Sequence, residues 1–228
     1  MFISEIYKSK QGEGLLTGTD SIFVRTSGCN LRCDFCDTPY TSWQPEGQHM
    51  TVSEIVQACQ DLECSHVVLT GGEPMLPAEV VSLTNQLVGL GLHITIESAG
   101  TVDRPVACHL MSISPKLRNS TPPSSRSKRW SIRHETTRHR PQIISQLTQR
   151  YPFQLKFVVS QLQDTDEVLN YLQEFPHITA DRVLLMPEGT DWASLESKHA
   201  WLEPFCQRHG FKLCPRLHIK WYGNKRGT

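Results

Sequence analysis

Ser21-Ile-Phe-Val-Arg25-Thr-Ser-Gly-Cys29-Asn-Leu-Arg-Cys33-Asp-Phe-Cys36 is a short apolar run that ends in a loop holding three cysteines within eight residues. Ser21–Arg25 reads as a buried strand, and Gly28 opens the loop. Three thiolates at this spacing can wrap one side of a metal centre. A structural zinc ion would need a fourth ligand, which any of ten histidines could supply. A [4Fe–4S] cluster on three cysteines would leave one iron open to a substrate or cofactor. A redox couple is a third reading, although it needs only a pair. The other five of the eight cysteines, Cys59, Cys64, Cys108, Cys206 and Cys214, are scattered and read as small buried hydrophobes.

Outward from this segment the same order recurs. Thr51-Val-Ser-Glu54 is a capping box, and Ile55, Cys59 and Leu62 follow it at helical spacing. His66–Thr70 is the next strand; Val80, Leu83, Leu87 and Leu90 form a helical stripe closed by Gly91. His93–Glu97 and His109–Ile113 read as strands, 142–150 as a helix, and Gln154–Val159 as a strand. Asp164 caps a helix, Arg182–Met186 is a strand, Trp192–His209 a helix ended by Gly210, and 211–214 a last short strand. Strand and helix alternating about six times predict an α/β fold with a parallel sheet. The chain has too few units for a closed eight-stranded barrel, so an open, partial β/α barrel of about six parallel strands is expected, as one domain over 1–228. Ligands sit at the carboxyl ends of such strands, which puts Cys29–Cys36, Gly71–Pro74, Glu97–Gly100, Ser114–Lys116 and Met186–Gly189 on one rim.

Bulk composition narrows the classes. Lys plus Arg equals Asp plus Glu at 23 each, so net charge points to neither nucleic acid nor a membrane surface. No run approaches the roughly 20 apolar residues that span a bilayer, and Met1–Lys8 lacks the features of a signal peptide. A cytoplasmic protein is expected. Between Lys116 and Arg140 eight Lys/Arg meet one acid, Glu135; with few apolar anchors, 117–140 reads as a solvated, mobile basic insertion, with a polyanion-binding or substrate-covering loop as the other reading.

The spacing Cys29-x3-Cys33-x2-Cys36, with an aromatic (Phe35) before the third cysteine, resembles the signature of the radical S-adenosylmethionine (SAM) superfamily. Thr70-Gly-Gly-Glu-Pro74, directly after a predicted strand, is similar to that superfamily's second motif, where backbone and acid hold the SAM amino group. Further matches run nearly the whole length: Gln11-Gly-Glu-Gly14, 15 residues before Cys29, then Phe23–Cys29, Cys36-Asp-Thr38, Glu97-Ser-Ala-Gly100, Ser114-Pro-Lys116 and Trp221–Thr228. Together they resemble the 7-carboxy-7-deazaguanine synthases. The resemblance implies conversion of 6-carboxy-5,6,7,8-tetrahydropterin to 7-carboxy-7-deazaguanine with loss of ammonia, on the way to queuosine and other 7-deazapurines. It implies a carbon–nitrogen lyase that draws an electron from a [4Fe–4S] cluster, takes a hydrogen from the pterin through a SAM-derived radical, and regenerates SAM.

It also implies roles. Cys29, Cys33 and Cys36 would ligate the cluster. Phe35, Cys36, Asp37, Gly72, Glu73, Ser98, Ser114, Pro115 and Lys116 would contact SAM. Arg25 would grip the substrate carboxylate, for which a guanidinium is well shaped, although a strand-end salt bridge is its plainer role. Lys10, Gln11, Gly12 and Glu13 would read the pterin edge, with Thr70 a further contact. Thr38 would ligate Mg²⁺ together with the substrate carboxylate, with Asp37 as a competing ligand. A tail over 215–228 would close over the site through His218 and Thr228. Expected partners are a flavodoxin-like or other one-electron reductant and a second copy in a homodimer, with no nucleic acid and no membrane. Two rival functions are a glycyl-radical enzyme activating protein, which shares the cysteine motif, and a non-enzymatic zinc-stapled binding module.

Overall fold

Alternation with a period of two gives most strands of this chain one apolar and one mixed polar face. The computed structural model describes all 228 residues. Its first half runs β1 (Phe2–Lys10), β2 (Asp20–Thr26), α1 (Pro39–Ser42), β3 (Gln48–His49), α2 (Val52–Asp61), β4 (His66–Gly71), α3 (Val80–Gly89) and β5 (His93–Ser98). Then come β6 (Leu110–Ile113), α4 (Ser124–Arg138), α5 (Pro141–Arg150), β7 (Phe153–Val159) and α6 (Asp164–Gln173). The chain closes with β8 (Val183–Pro187), α7 (Trp192–His209), β9 (Lys212–Leu213) and α8 (Leu217–Tyr222). One sheet holds all nine strands in the order β3-β1-β2-β4-β5-β6-β7-β8-β9. From β2 to β9 every pairing is parallel, whereas β1 is antiparallel to β2 and β3. The architecture is an open, partial β/α barrel, and no helix is long and apolar enough to cross a membrane.

Six of the parallel strands are four residues or longer, and they fall where the apolar runs predict them. β1 is the one long strand that sequence reading misses, along with the short α1, β3 and α8. A bulge between Ile3 and Glu5 breaks its alternation, so Phe2-Ile-Ser-Glu-Ile does not show a strand period. The basic stretch 117–140 is also not the mobile loop expected. It forms a turn of 3-10 helix at Arg118–Ser120 and then α4, kinked at Ser127. Its anchors are polar rather than aliphatic. His134, fully buried, accepts from Arg32 N (3.3 Å) through Nδ1 and bonds Ser120 Oγ (2.9 Å) through Nε2.

The sheet's two faces do different things. Val24, Leu69, Ile96, Ile113, Leu155 and Leu185 belong to a continuous core of 30 buried residues that also includes α2, α3 and α5 side chains such as Ile55, Leu83 and Leu147. On the other face the register aligns Arg25 with Thr70, Glu97 with Ser112, and Ser112 with Gln154. Gln154 Nε2 donates to Ser112 Oγ (2.7 Å) and Thr70 Oγ1 to Glu97 Oε2 (3.0 Å), so this polar row is internally bonded. A parallel strand is usually apolar on both faces. Here the inner face is instead the floor of a site.

Candidate active site

A cavity of about 400 Å³ opens at the carboxyl ends of the strands. Its wall takes in Lys10–Glu13 after β1, Arg25 on β2, the cysteine loop, Thr70–Gly72, Glu97, Ser114 and Lys116, and residues 223–228 of the tail. Of the positions singled out by resemblance, Glu73, Ser98 and Pro115 are the ones the structure does not bring to that wall. Glu73 is buried directly behind it, accepting from Ser98 Oγ (2.9 Å), Ala99 N (2.8 Å) and Met75 N (3.1 Å). Burial raises its pKa against the pull of those three donors. The carboxylate thereby orders the turn whose glycines face the cavity. Gly72 lies against Gly28 and Thr41, and any Cβ there would collide with the Gly28 carbonyl oxygen, so no larger residue fits.

Five charged side chains form a chain through the site. Lys156 on β7 donates to Glu13 Oε2, and its Nζ also lies 3.5 Å from Glu97 Oε1. Arg216 donates to Glu13 Oε1 (3.0 Å) and, through its other end, to Asp37 Oδ2 in the cysteine loop and the Gly189 carbonyl. Lys156 and Arg216 are both almost fully buried. Burial alone would raise the Glu13 pKa, but the two cations outweigh it and hold the carboxyl well below its usual range. Burial likewise opposes, and Arg216 overrides, for Asp37, whose pKa is lowered. Lys156 is the mirror case: Glu13 and Glu97 hold it charged despite desolvation.

Neither Lys156, Arg216 nor Glu97 is among the residues singled out as ligands from sequence. The signal for two of them was the alternation itself. Gln154 and Lys156 stand at alternate positions of an apolar strand, as do Thr95 and Glu97, and a polar residue at every second place of a buried parallel strand marks a wet inner face. Arg216 carries no such signal. It follows Pro215 with φ 56°, a backbone conformation unusual for a non-glycine residue and held here by three hydrogen-bond partners.

Arg25 makes the strand-end salt bridge that is its plainer role. Nε donates to Glu5 Oε1 (2.7 Å) and NH2 to Tyr7 OH (2.8 Å), yet the guanidinium still lines the cavity with donor capacity to spare. Gln11 is buried and donates to Glu97 Oε1 (3.2 Å). Gly12 lies so close to His218 that a Cβ would meet the imidazole ring, and its carbonyl accepts from Leu217 N (2.9 Å). The Gln11–Gly14 segment and α8 are thus packed as one wall. Thr38 also lines the cavity, its Oγ1 3.3 Å from Thr41 Oγ1.

A family profile described as "Radical SAM superfamily" matches residues 23–114. A 7-carboxy-7-deazaguanine synthase of Rhodopirellula baltica is 47% identical over all of this chain and 89% of its own. The enzyme of that name from Halobacterium salinarum is 43% identical over 95% of this chain and 88% of its own. The chain belongs to the 7-carboxy-7-deazaguanine synthase family. Among solved structures, QueE from Escherichia coli superposes with a TM-score of 0.69 at 22% identity, over 93% of this chain and 92% of that one, which shows the shared fold.

Membership makes this a radical SAM lyase, and the family implies a [4Fe–4S] cluster with SAM. The donor set fits that cluster. Cys29, Cys33 and Cys36 all line the cavity, where three thiolates can hold a cluster and leave one iron open. His134, which abuts the loop, already uses both ring nitrogens. Burial pushes the Cys29 and Cys33 thiols up to about 12, with nearby Glu73 adding for Cys29 and Lys116 opposing for Cys33. Of the scattered cysteines, Cys59 and Cys206 are buried in the core, Cys214 is buried beside the site and accepts from Gly14 N (3.2 Å), and Cys64 and Cys108 are half-buried.

Proposed function

We propose that this protein converts 6-carboxy-5,6,7,8-tetrahydropterin to 7-carboxy-7-deazaguanine with release of ammonia. The observation that carries the reading is the convergence of Gln11-Gly-Glu13, Arg25 and Thr70 with the three-cysteine loop on one cavity. Bound at Cys29, Cys33 and Cys36, the cluster together with SAM would supply an electron and a carbon-centred radical at the cavity's inner end. The chain's own residues bind and orient. Arg25 offers its remaining N–H donors to the substrate carboxylate, with Glu5 and Tyr7 fixing its plane. Glu13, kept ionised by Lys156 and Arg216, accepts from the N–H edge of the pterin, beside Lys10, Gln11 and Gly12. Phe35, Asp37, Gly72, Ser114 and Lys116 form the SAM wall, while Glu73 and Ser98 position it from behind and Pro115 sits buried between the two rim residues. The tail, with His218 and Thr228, excludes water from the remaining side.

Mg²⁺ would be held by Thr38 and the substrate carboxylate together, because Asp37 is committed to Arg216. A one-electron reductant and a homodimeric, cytoplasmic enzyme complete the reading. Incubating the reconstituted, reduced protein with SAM and the carboxypterin should give a deazapurine chromophore. SAM cleavage without that product would overturn the substrate assignment. Adding Mg²⁺ should raise turnover in the wild type and much less in Thr38→Ala.

A further inference from the structure

The basic helix α4 has no part in the cavity, yet it leans on the cysteine loop from behind. Arg126 stacks over the Trp43 ring at 3.9 Å, and the Trp43 indole donates to the Cys33 carbonyl (2.9 Å). Trp130 of α4 lies under Arg32 at 4.2 Å, and Arg32 in turn donates to the carbonyls of Cys29 and Leu31 (2.7 Å each). Two aromatic stacks therefore connect this helix to the backbone of two of the three cluster cysteines.

Its outer face is different in kind. Trp130, His134 and Arg138 turn inward, which leaves Lys128, Arg129, Ile132 and Arg133 to solvent. Ile132 is 58% exposed, the most of any large hydrophobic side chain in the molecule. The helix's one acid, Glu135, is taken up by Arg138 and Thr121, and Asp34 by Arg126. Lys128, Arg129 and Arg133 enter no ion pair. Three uncompensated cations around one exposed aliphatic side chain, on a chain whose net charge is zero, make a local anion-seeking surface with an apolar centre.

We propose that this face of α4 docks an acidic, one-electron donor protein and brings its reduced flavin or iron–sulfur centre to the outer side of the cysteine loop. The proposal rests on the radical SAM reading, which requires one electron per activation: the donor is oxidised by one electron and the cluster reduced by one, with no atom transferred. Charge complementarity selects the partner, since an acidic surface is attracted at long range and oriented before contact. Polynucleotides are the other acidic macromolecules such a face could attract. A nucleic-acid surface would have no reason to be wired by Trp43 and Trp130 to the cluster loop.

The test uses Lys128→Glu combined with Arg129→Glu, both solvent-facing, with Ile132→Ala as an independent variant. An acidic flavodoxin serves as the probe. Affinity for oxidised flavodoxin, measured on protein without its cluster at low salt, should fall about tenfold in the double variant and fade in the wild type as salt rises. The rate at which reduced flavodoxin bleaches the visible cluster band should fall in parallel, while bleaching by dithionite and iron content stay unchanged. Ile132→Ala should weaken flavodoxin binding without altering its salt dependence. Unchanged flavodoxin affinity in both variants overturns the proposal. So does an equal loss with dithionite, which would make α4 a structural support, or selective loss of binding to a short RNA duplex. Cluster bleaching needs no pterin, so it can succeed where product formation fails, and the two readings fail separately.

Discussion

Glu13 sits at the centre of the site's electrostatics because it answers two buried cations at once. Removing one cation leaves a buried group without its full complement, which costs far more than such a pair is worth when intact. Arg216→Met should therefore destabilise the fold by about 3 kcal/mol by chemical denaturation. It should also raise the pterin KM at pH 7 by freeing both Glu13 and Asp37 to move. The pH dependence has a definite sign. A carboxyl held below its ordinary 4.5 in the fold contributes stability that is fully present above that value and lost as pH falls through the folded one. Acid unfolding of the wild type should thus steepen below about pH 4.5, and less so in Glu13→Gln, followed by far-UV circular dichroism.

At the scale of elements, α4 and the cysteine loop are joined through His134. Its Nδ1 accepts from Arg32 N, so the neutral ring carries its proton on Nε2 and donates to Ser120 Oγ, which itself donates to Leu117 O (2.6 Å). A second proton would set two donors against each other at Nδ1. Burial, with Arg138 and Lys116 adding and Glu135 opposing, brings this histidine down to about 4. The unfolded chain then binds the extra proton first, so stability falls as pH drops from 6.5 towards 4, by about 3 kcal/mol in all. His134→Asn should lower stability at pH 7.5 and abolish that slope. The other test at this scale is simpler. Glu54 and Thr51 cap α2 reciprocally, and Thr51→Ala should cost about 1 kcal/mol, or a fall in Tm of about 2–4 °C.

Over the whole molecule, the outer and inner faces of the sheet explain what sequence could and could not reveal. The six longer parallel strands were legible because each outer row is an unbroken apolar set, as in Val67, Leu69 and Ile94, Ile96. The cysteine loop and Gly71-Gly72 were legible because metal ligation and close backbone approach demand particular residue types at fixed spacing. Alternation marks Glu97 and Lys156 as inner-face residues, but their pairing, and Arg216 altogether, leave no local trace because the partners lie far apart in the chain. α4 is not legible as an anchored helix because hydrophobic content, the usual guide to anchoring, says nothing of a helix held by His134, Trp130 and Arg138. Because Gly12 lies so close to His218, Gly12→Ala should push α8 off the Gln11–Gly14 segment, raising KM with little loss of stability.

The chain of ion pairs also sets an order of assembly. Its partners are separated by 143, 203 and 179 residues, so each bond closes a long loop whose entropy must be offset before the contact stabilises anything. Strands that pair through their apolar rows can form the sheet first, and the ring of charges over the site closes last. The same segments are then the first to open. Amides of 11–18 and 216–222 should exchange with deuterium well before those of β4 and β5, and this breathing gives iron and sulfide a way in without unfolding the barrel.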